Sequence, residues 1–271
     1  MTLNISGRLF DLSNPCVMGI LNATPDSFFA KSRVEDVAAI KQRALQIVDE
    51  GAAIIDVGAC STRPGSSPVS ADEELRRLDM AMSAIRSVLP KAVVSIDTFC
   101  ADVARHMVED YGVGIINDIS GGQWDNKMFE TVADLHVPYV LTHLAEEPLP
   151  ASDSLVVDVC RYFEERIQQL HNLGVADIII DPGFGFGKTL EANYELMHHL
   201  ADLHILDLPL LVGVSRKSMI HKLLGITADE ALAGTIVLNT LALSAGASIF
   251  RVHDVREAVE TLSVVKAVLD N

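Results

Sequence analysis

Eight short apolar runs constrain this chain more than any other feature. Each ends in a polar cluster, and a helical pattern separates each from the next. Val17 to Leu21 leads to Asn22, Ile54 to Gly58 to Ser61-Thr62-Arg63-Pro64-Gly65, and Val93 to Ile96 to Asp97. Gly114 to Ile116 leads to Asn117-Asp118, Tyr139 to Leu141 to Thr142-His143, and Ile178 to Ile180 to Asp181-Pro182-Gly183. Leu208 to Val212 leads to Gly213-Val214-Ser215-Arg216-Lys217-Ser218, and Ser248 to Phe250 to Arg251 and His253. Runs this rich in Val, Ile and Leu read as parallel strands buried on both faces. The stretches between them carry apolar residues at helical spacing, as in Val37, Ile40, Ala44, Leu45, Ile47 and Val48. Ser70 and Glu73 form the pattern of a capping box at the head of the second helix, and one helix is expected over Leu190 to Leu203. Gly51, Gly112, Gly174 and Gly246 follow helices as left-handed caps should. An open sheet would gather its ligand groups at one switch point, whereas here polar residues end almost every strand. Eight repeats therefore predict a single α/β domain over residues 1–271, a closed (β/α)8 TIM barrel with its tips converging on one mouth.

The bulk numbers narrow the partners. At 271 residues, 49% hydrophobic and 21% charged, the chain reads as a folded soluble protein. A net charge of −16 repels nucleic acid and anionic membranes. The acid reads as solvated helix faces, as in Asp72-Glu73-Glu74 and Glu164-Glu165. No apolar run is long enough to cross a bilayer, and Met1 to Phe10 lacks the pattern of a signal peptide. Cys16, Cys60, Cys100 and Cys160 lie far apart, which argues against a zinc site or disulfide framework and for a cytoplasmic location.

Against this acidic background the tips hold a different chemistry. Asp97, Asn117 and Asp181 would point into the mouth, where buried carboxylates and amides need donors and acceptors. A flat heterocycle with amine and ring N–H groups supplies them. The alternative is that each merely caps a helix. Arg63, Arg216, Lys217, Arg251 and His253 come from three loops and suit phosphate or carboxylate, with Arg216 the one that reads as surface charge. Asp181 to Thr189 looks like a nucleotide-binding loop, but its glycine spacing fits neither the P-loop nor the dinucleotide fingerprint. Its glycines instead let backbone pass beside a bound ring on which Phe186 can stack. Asn22 offers an amide oxygen to magnesium held mostly by phosphate and water, and can equally nucleate a turn with Pro25, two readings that are compatible. His198, His199, His204 and His221 read as structural, and Cys60 as a small filler.

Taken in order, the segments Met18 to Phe28, Ser61 to Gly65, Ser95 to Thr98, Ile116 to Asp118, Thr142-His143, Asp181 to Thr189, Ser215 to Lys217 and Arg251 to His253 resemble the dihydropteroate synthase family. The resemblance implies condensation of 6-hydroxymethyl-7,8-dihydropterin diphosphate with p-aminobenzoate, giving 7,8-dihydropteroate and diphosphate in folate biosynthesis. It implies Mg2+ at Asn22, and pterin contacts from Asp97, Asn117, Asp181, Lys217, Phe186 and the residue at Leu144. It places Arg63, Arg251, His253 and Asn22 on the diphosphate, and Thr62, Pro64, Phe28 and Ser215 around p-aminobenzoate. Lys217, Asp97, Asp181, Arg251 and His253 are the expected catalytic group. A homodimer and sulfonamide binding are family traits. The sequence departs from the family pattern at Cys60, commonly Glu, at Leu144, commonly Met, and at Phe29 to Arg33.

A dissociative displacement at the exocyclic carbon is expected, with ionised Asp97 and Asp181 favouring the cationic centre. The weakly basic arylamine needs no general base. Closure of the segments Asn22 to Arg33 and Ser61 to Ser70 predicts that p-aminobenzoate binds second. The rival readings are a pterin-binding methyltransferase domain and a catalytically silent pterin-binding paralogue.

Overall fold

The computed structural model describes residues 1–23, 33–60, 69–145, 147–152 and 154–269. Eight parallel strands form one sheet: β3 (Cys16–Asn22), β4 (Ile54–Gly58), β5 (Val94–Asp97), β6 (Ile115–Asp118), β7 (Tyr139–Thr142), β8 (Ile178–Asp181), β9 (Leu211–Val212) and β10 (Ile249–Val252). Their spatial order is β8-β7-β6-β5-β4-β3-β10-β9. A parallel bridge between Ile180 and Leu210 joins the two ends, so the sheet is the barrel the repeats predict. The seventh apolar run yields only Leu211–Val212 as strand. Pro209 has no N–H for a ladder, although its carbonyl accepts Ile180 N at 2.9 Å.

The helices surround the barrel. They are α1 (Arg33–Asp49), α2 (Ala71–Val88), α3 (Ala101–Tyr111), α4 (Met128–Leu135), α5 (Leu155–Asn172), α6 (Leu190–His198), α7 (Ser218–Leu224), α8 (Leu232–Ser244) and α9 (Val255–Leu269). The four expected cap glycines all have positive φ. Two local expectations change. Ser70 Oγ accepts Glu73 N at 3.4 Å, but the Glu73 carboxylate turns to Arg76 and Arg77 instead of closing the capping box. The helix expected over Leu190 to Leu203 breaks at His199 (φ −98°, ψ 16°) and continues as a 3-10 helix, Leu200–Leu206.

The sequence reading also missed a hairpin, β1 (Thr2–Ile5) and β2 (Arg8–Asp11). Ser6 (φ 51°) and Gly7 (φ 77°) turn it with both central residues left-handed, the geometry that suits strand twist. Alternation buries Leu3 and Ile5. With Leu12 they plug the N-terminal end of the barrel against Met18, Ile54, Ile115, Val140, Ile179, Leu211 and Ile249. A second, larger apolar cluster lies between the strands and the helix ring.

Candidate active site

Side chains two residues apart on a strand share a face. Ile54, Ile115, Ile179 and Ile249 point into the barrel floor, so Asp56, Asn117, Asp181 and Arg251 point inward one step nearer the C-terminal end. Asp97 joins them from the tip of β5. Arg251 binds both carboxylates opposite it, Nε donating to Asp56 Oδ2 and Nη2 to Asp97 Oδ2, each at 2.6 Å. Asn117 Nδ2 donates to Asp56 at 3.2 and 3.4 Å. Asp56 is fully buried and Asp97 nearly so.

One guanidinium thus serves two buried carboxylates. Burial lifts Asp97 to about 7; Arg251 opposes this, while Asp56 adds to it. Burial alone would lower the Arg251 pKa, but Asp56 and Asp97 together raise it, so the guanidinium stays charged. Asp181 is also raised by burial, against the pull of Lys217 and of the Gly183 N–H, which donates to its Oδ1 at 2.8 Å.

Lys217 enters from the loop between β9 and α7. Its Nζ donates to Phe184 O at 2.6 Å and lies 4.4 Å from the centre of the Phe186 ring. Burial pushes this amine down to about 8, with Asp181 holding it up. The preceding residue sets that direction. Arg216 has φ 55° and grips Asp254 through Nε and Nη2 at 2.8 and 2.9 Å, while its Nη1 reaches the carbonyls of Ala228 and Asp229. Arg216 therefore fastens its own loop, and is neither a free surface charge nor part of the mouth.

Of the other expected site residues, Asn22 sits at the tip of β3. A Cβ added at Gly58 would lie 3.7 Å from Asp97 Oδ2 and 3.9 Å from Asn22 Oδ1, so both side chains face one point. His253 follows β10. Burial, then the nearby Arg251 charge, pushes its imidazole down to about 4, so at neutral pH it contributes a ring N–H and no charge. Its backbone N–H donates to the buried Ser215 Oγ at 3.2 Å. Leu144 is half-buried just beyond β7. Phe28, Thr62, Arg63 and Pro64 lie outside the described residues.

Buried carboxyls that escaped the sequence reading include Asp56 and Glu74. Asp56 stands inside Ile54-Ile55-Asp56-Val57-Gly58, and a lone carboxylate in an apolar strand was the available signal. Glu74 was taken for a solvated helix face but is 2% exposed. Burial raises its pKa, while Thr98 and Cys60 hydrogen-bond the carboxyl and Oε1 has no partner. Cys60 is thus a neighbour of Glu74 as well as a filler, its thiol pushed up to about 12 by burial and by that carboxyl.

Residues 18–253 match the family model described as pterin binding enzyme. Dihydropteroate synthase of Escherichia coli K12 is 41% identical over 276 residues, covering 99% of this chain and 97% of that one. The chain belongs to the dihydropteroate synthase family. The Streptococcus pyogenes member is 37% identical over 97% of this chain and 99% of its own. Among solved family structures, the Xanthomonas albilineans enzyme with 4-aminobenzoic acid superposes with a TM-score of 0.92 at 38% identity, covering 100% of this chain and 98% of that one. A dihydropteroate synthetase solved with a product superposes at 0.91, with 38% identity and full coverage of both chains. No described helix is long and apolar enough to cross a membrane.

Proposed function

We propose that this chain is a dihydropteroate synthase, which joins 6-hydroxymethyl-7,8-dihydropterin diphosphate to p-aminobenzoate. The observation that carries the reading is the gathering of Asp97, Asn117, Asp181, Lys217 and Arg251 at one mouth, in a chain 41% identical to a dihydropteroate synthase along almost its whole length.

The ring enters edge-on. Its amine and N–H groups give hydrogen bonds to Asp97, Asp181 and the Asn117 amide oxygen. Lys217, held between Phe184 O and the Phe186 ring, lies over one side, with Phe186 stacking and Leu144 filling the pocket edge. The donors of Arg251 not given to Asp56 and Asp97, the His253 ring and Arg63 meet the diphosphate. Asn22 is the protein ligand that fits Mg2+, which supplies positive charge to the diphosphate when bound. Phosphate and water oxygens would complete its shell, as magnesium bound through substrate phosphates keeps several waters. Thr62, Pro64, Phe28 and Ser215 surround p-aminobenzoate.

The bond between the exocyclic carbon and the diphosphate oxygen breaks first, and its electron pair leaves with the neutralised diphosphate. The electron-rich ring carries the resulting positive charge, aided by the carboxylates beneath it. The arylamine lone pair then forms the C–N bond, and the surplus proton passes to water or to the departing diphosphate.

We also assign a cytoplasmic location, in keeping with four free cysteines, and a homodimer. α8 is apolar around its circumference and leaves Val237 and Leu241 exposed, and it packs on α9, which leaves Val264 exposed. A helix of that kind is ordinarily covered. Purified protein is expected to form dihydropteroate from the two substrates with Mg2+ and to have twice the chain mass in solution. Binding of the pterin substrate without turnover would favour the silent paralogue instead.

A further inference from the structure

The loop between β8 and α6 carries a half-buried lysine that the reaction does not use. Lys188 Nζ donates to three carbonyls, those of Gly183 (2.9 Å), Phe186 (3.1 Å) and His143 (3.2 Å). Two belong to its own loop and the third to the loop after β7. Burial pushes the amine down to about 7, yet three acceptors select the ammonium, because only that form has three hydrogens to give. Asn193 of α6 completes the fastening. Its Oδ1 accepts Gly185 N at 2.6 Å, and its Nδ2 donates to Thr189 O at 2.7 Å and Lys188 O at 3.3 Å. Asn193 is 3% exposed.

The two loops are pressed together so closely that side chains are excluded where they meet. A Cβ on Gly183 would fall 2.1 Å from His143 O, and one on Gly187 would fall 2.3 Å from Ala145 O. Both glycines also have positive φ. Between these points the loop offers the Phe184 carbonyl and the Phe186 ring to the Lys217 ammonium. The Phe184 side chain is anchored in the core and Phe186 N donates to Gly183 O at 3.0 Å, and Lys188 and Asn193 hold the backbone on either side of these groups at Gly183 O, Gly185 N and Phe186 O.

We propose that Lys188 and Asn193 are positioning residues, which lock the loop so that Phe184 O and Phe186 hold the Lys217 ammonium in its substrate-binding direction. The inference rests on the reading that Lys217 and Phe186 meet the pterin. It assigns Lys188 no contact with substrate. Its effect runs through Lys217, and a double-mutant cycle separates that route from a general structural role.

The experiment is titration calorimetry of folded protein with 6-hydroxymethyl-7,8-dihydropterin diphosphate and Mg2+. It compares wild type, Lys188→Met, Asn193→Ala, Lys217→Ala and the Lys188→Met/Lys217→Ala pair. Lys188→Met and Asn193→Ala are each expected to weaken binding about tenfold or more, while the pair binds within about twofold of Lys217→Ala alone. Losses that multiply in the pair, or wild-type affinity in folded Lys188→Met, overturn the proposal. If Lys188→Met does not fold, Asn193→Ala replaces it in the same cycle and is read the same way. Failure of the wild type to bind the probe sinks the functional reading itself, a result distinct from multiplying losses.

Discussion

The two ends of the barrel are built from the same strands and differ by one step of the pleat. Ile54, Ile115, Ile179 and Ile249 face the floor, and two residues later Asp56, Asn117, Asp181 and Arg251 face the mouth. At the floor Leu3 and Ile5 of the hairpin, with Leu12, close an apolar layer. At the mouth Arg251 is shared by two buried carboxylates, and the amines of Lys188 and Lys217 are both lowered by burial. Burial is the common condition, and its consequence is set by chemistry. Buried apolar area contributes stability directly, whereas buried charge holds a fixed electrostatic arrangement at the expense of stability. The fold keeps these demands apart along the strand axis, with the apolar layer at the floor and the shared charges at the mouth.

This contrast predicts that mutations at the two ends change different observables. The largest effect is expected at the mouth. Lys217→Ala and Asp181→Ala should each lower kcat/KM by about 10²–10³ while leaving a cooperative fold. Near-wild-type activity in a diphosphate-release assay would remove the residue from the site. One step down the same strand, Ile179→Ala should lower unfolding free energy by about 2–5 kcal/mol, with kcat per folded molecule almost unchanged. A comparable loss of kcat in denaturant-titrated, fully folded protein would show that floor and mouth are not separable. The smallest effect sharpens the comparison within the mouth. Asp97 has a folded pKa near 7 against an ordinary 3.8. Its proton therefore adds stability that is complete below about 4 and is lost as pH climbs through about 7. Asp97→Asn cannot ionise, so the melting temperature of the variant relative to wild type should rise between pH 5 and pH 8. A constant difference across that range would mean that Arg251 keeps Asp97 ionised throughout.

Much of this was legible in the residues. Eight apolar runs with polar tips specify parallel strands buried on both faces, because nothing else covers such runs on both sides. Their number specifies the barrel, and the order of the tip motifs specifies the family. Placement in the mouth follows from strand parity for Asn117, Asp181 and Arg251. Parity would have found Asp56 as well, had its isolation among Ile55 and Val57 been weighed.

Other features depend on where distant segments meet, and no local pattern encodes that. The sequence supplied Arg251 as a cation, but only the closed sheet sets it against Asp56 and Asp97, 195 and 154 residues away. Glu74 looks solvated beside Glu73, and it becomes buried because the face of α2 that carries it turns toward Cys60 and Thr98. Lys188 reads as part of a loop resembling a nucleotide-binding one, and only the structure shows two loops converging their carbonyls on it. The sequence by itself therefore determined the eight barrel strands, the barrel and the family, since these rest on periodicity and order along the chain. The tertiary structure alone decided which charges are paired, which are shifted and which loop is locked, because burial and Coulomb interaction depend on distance in space.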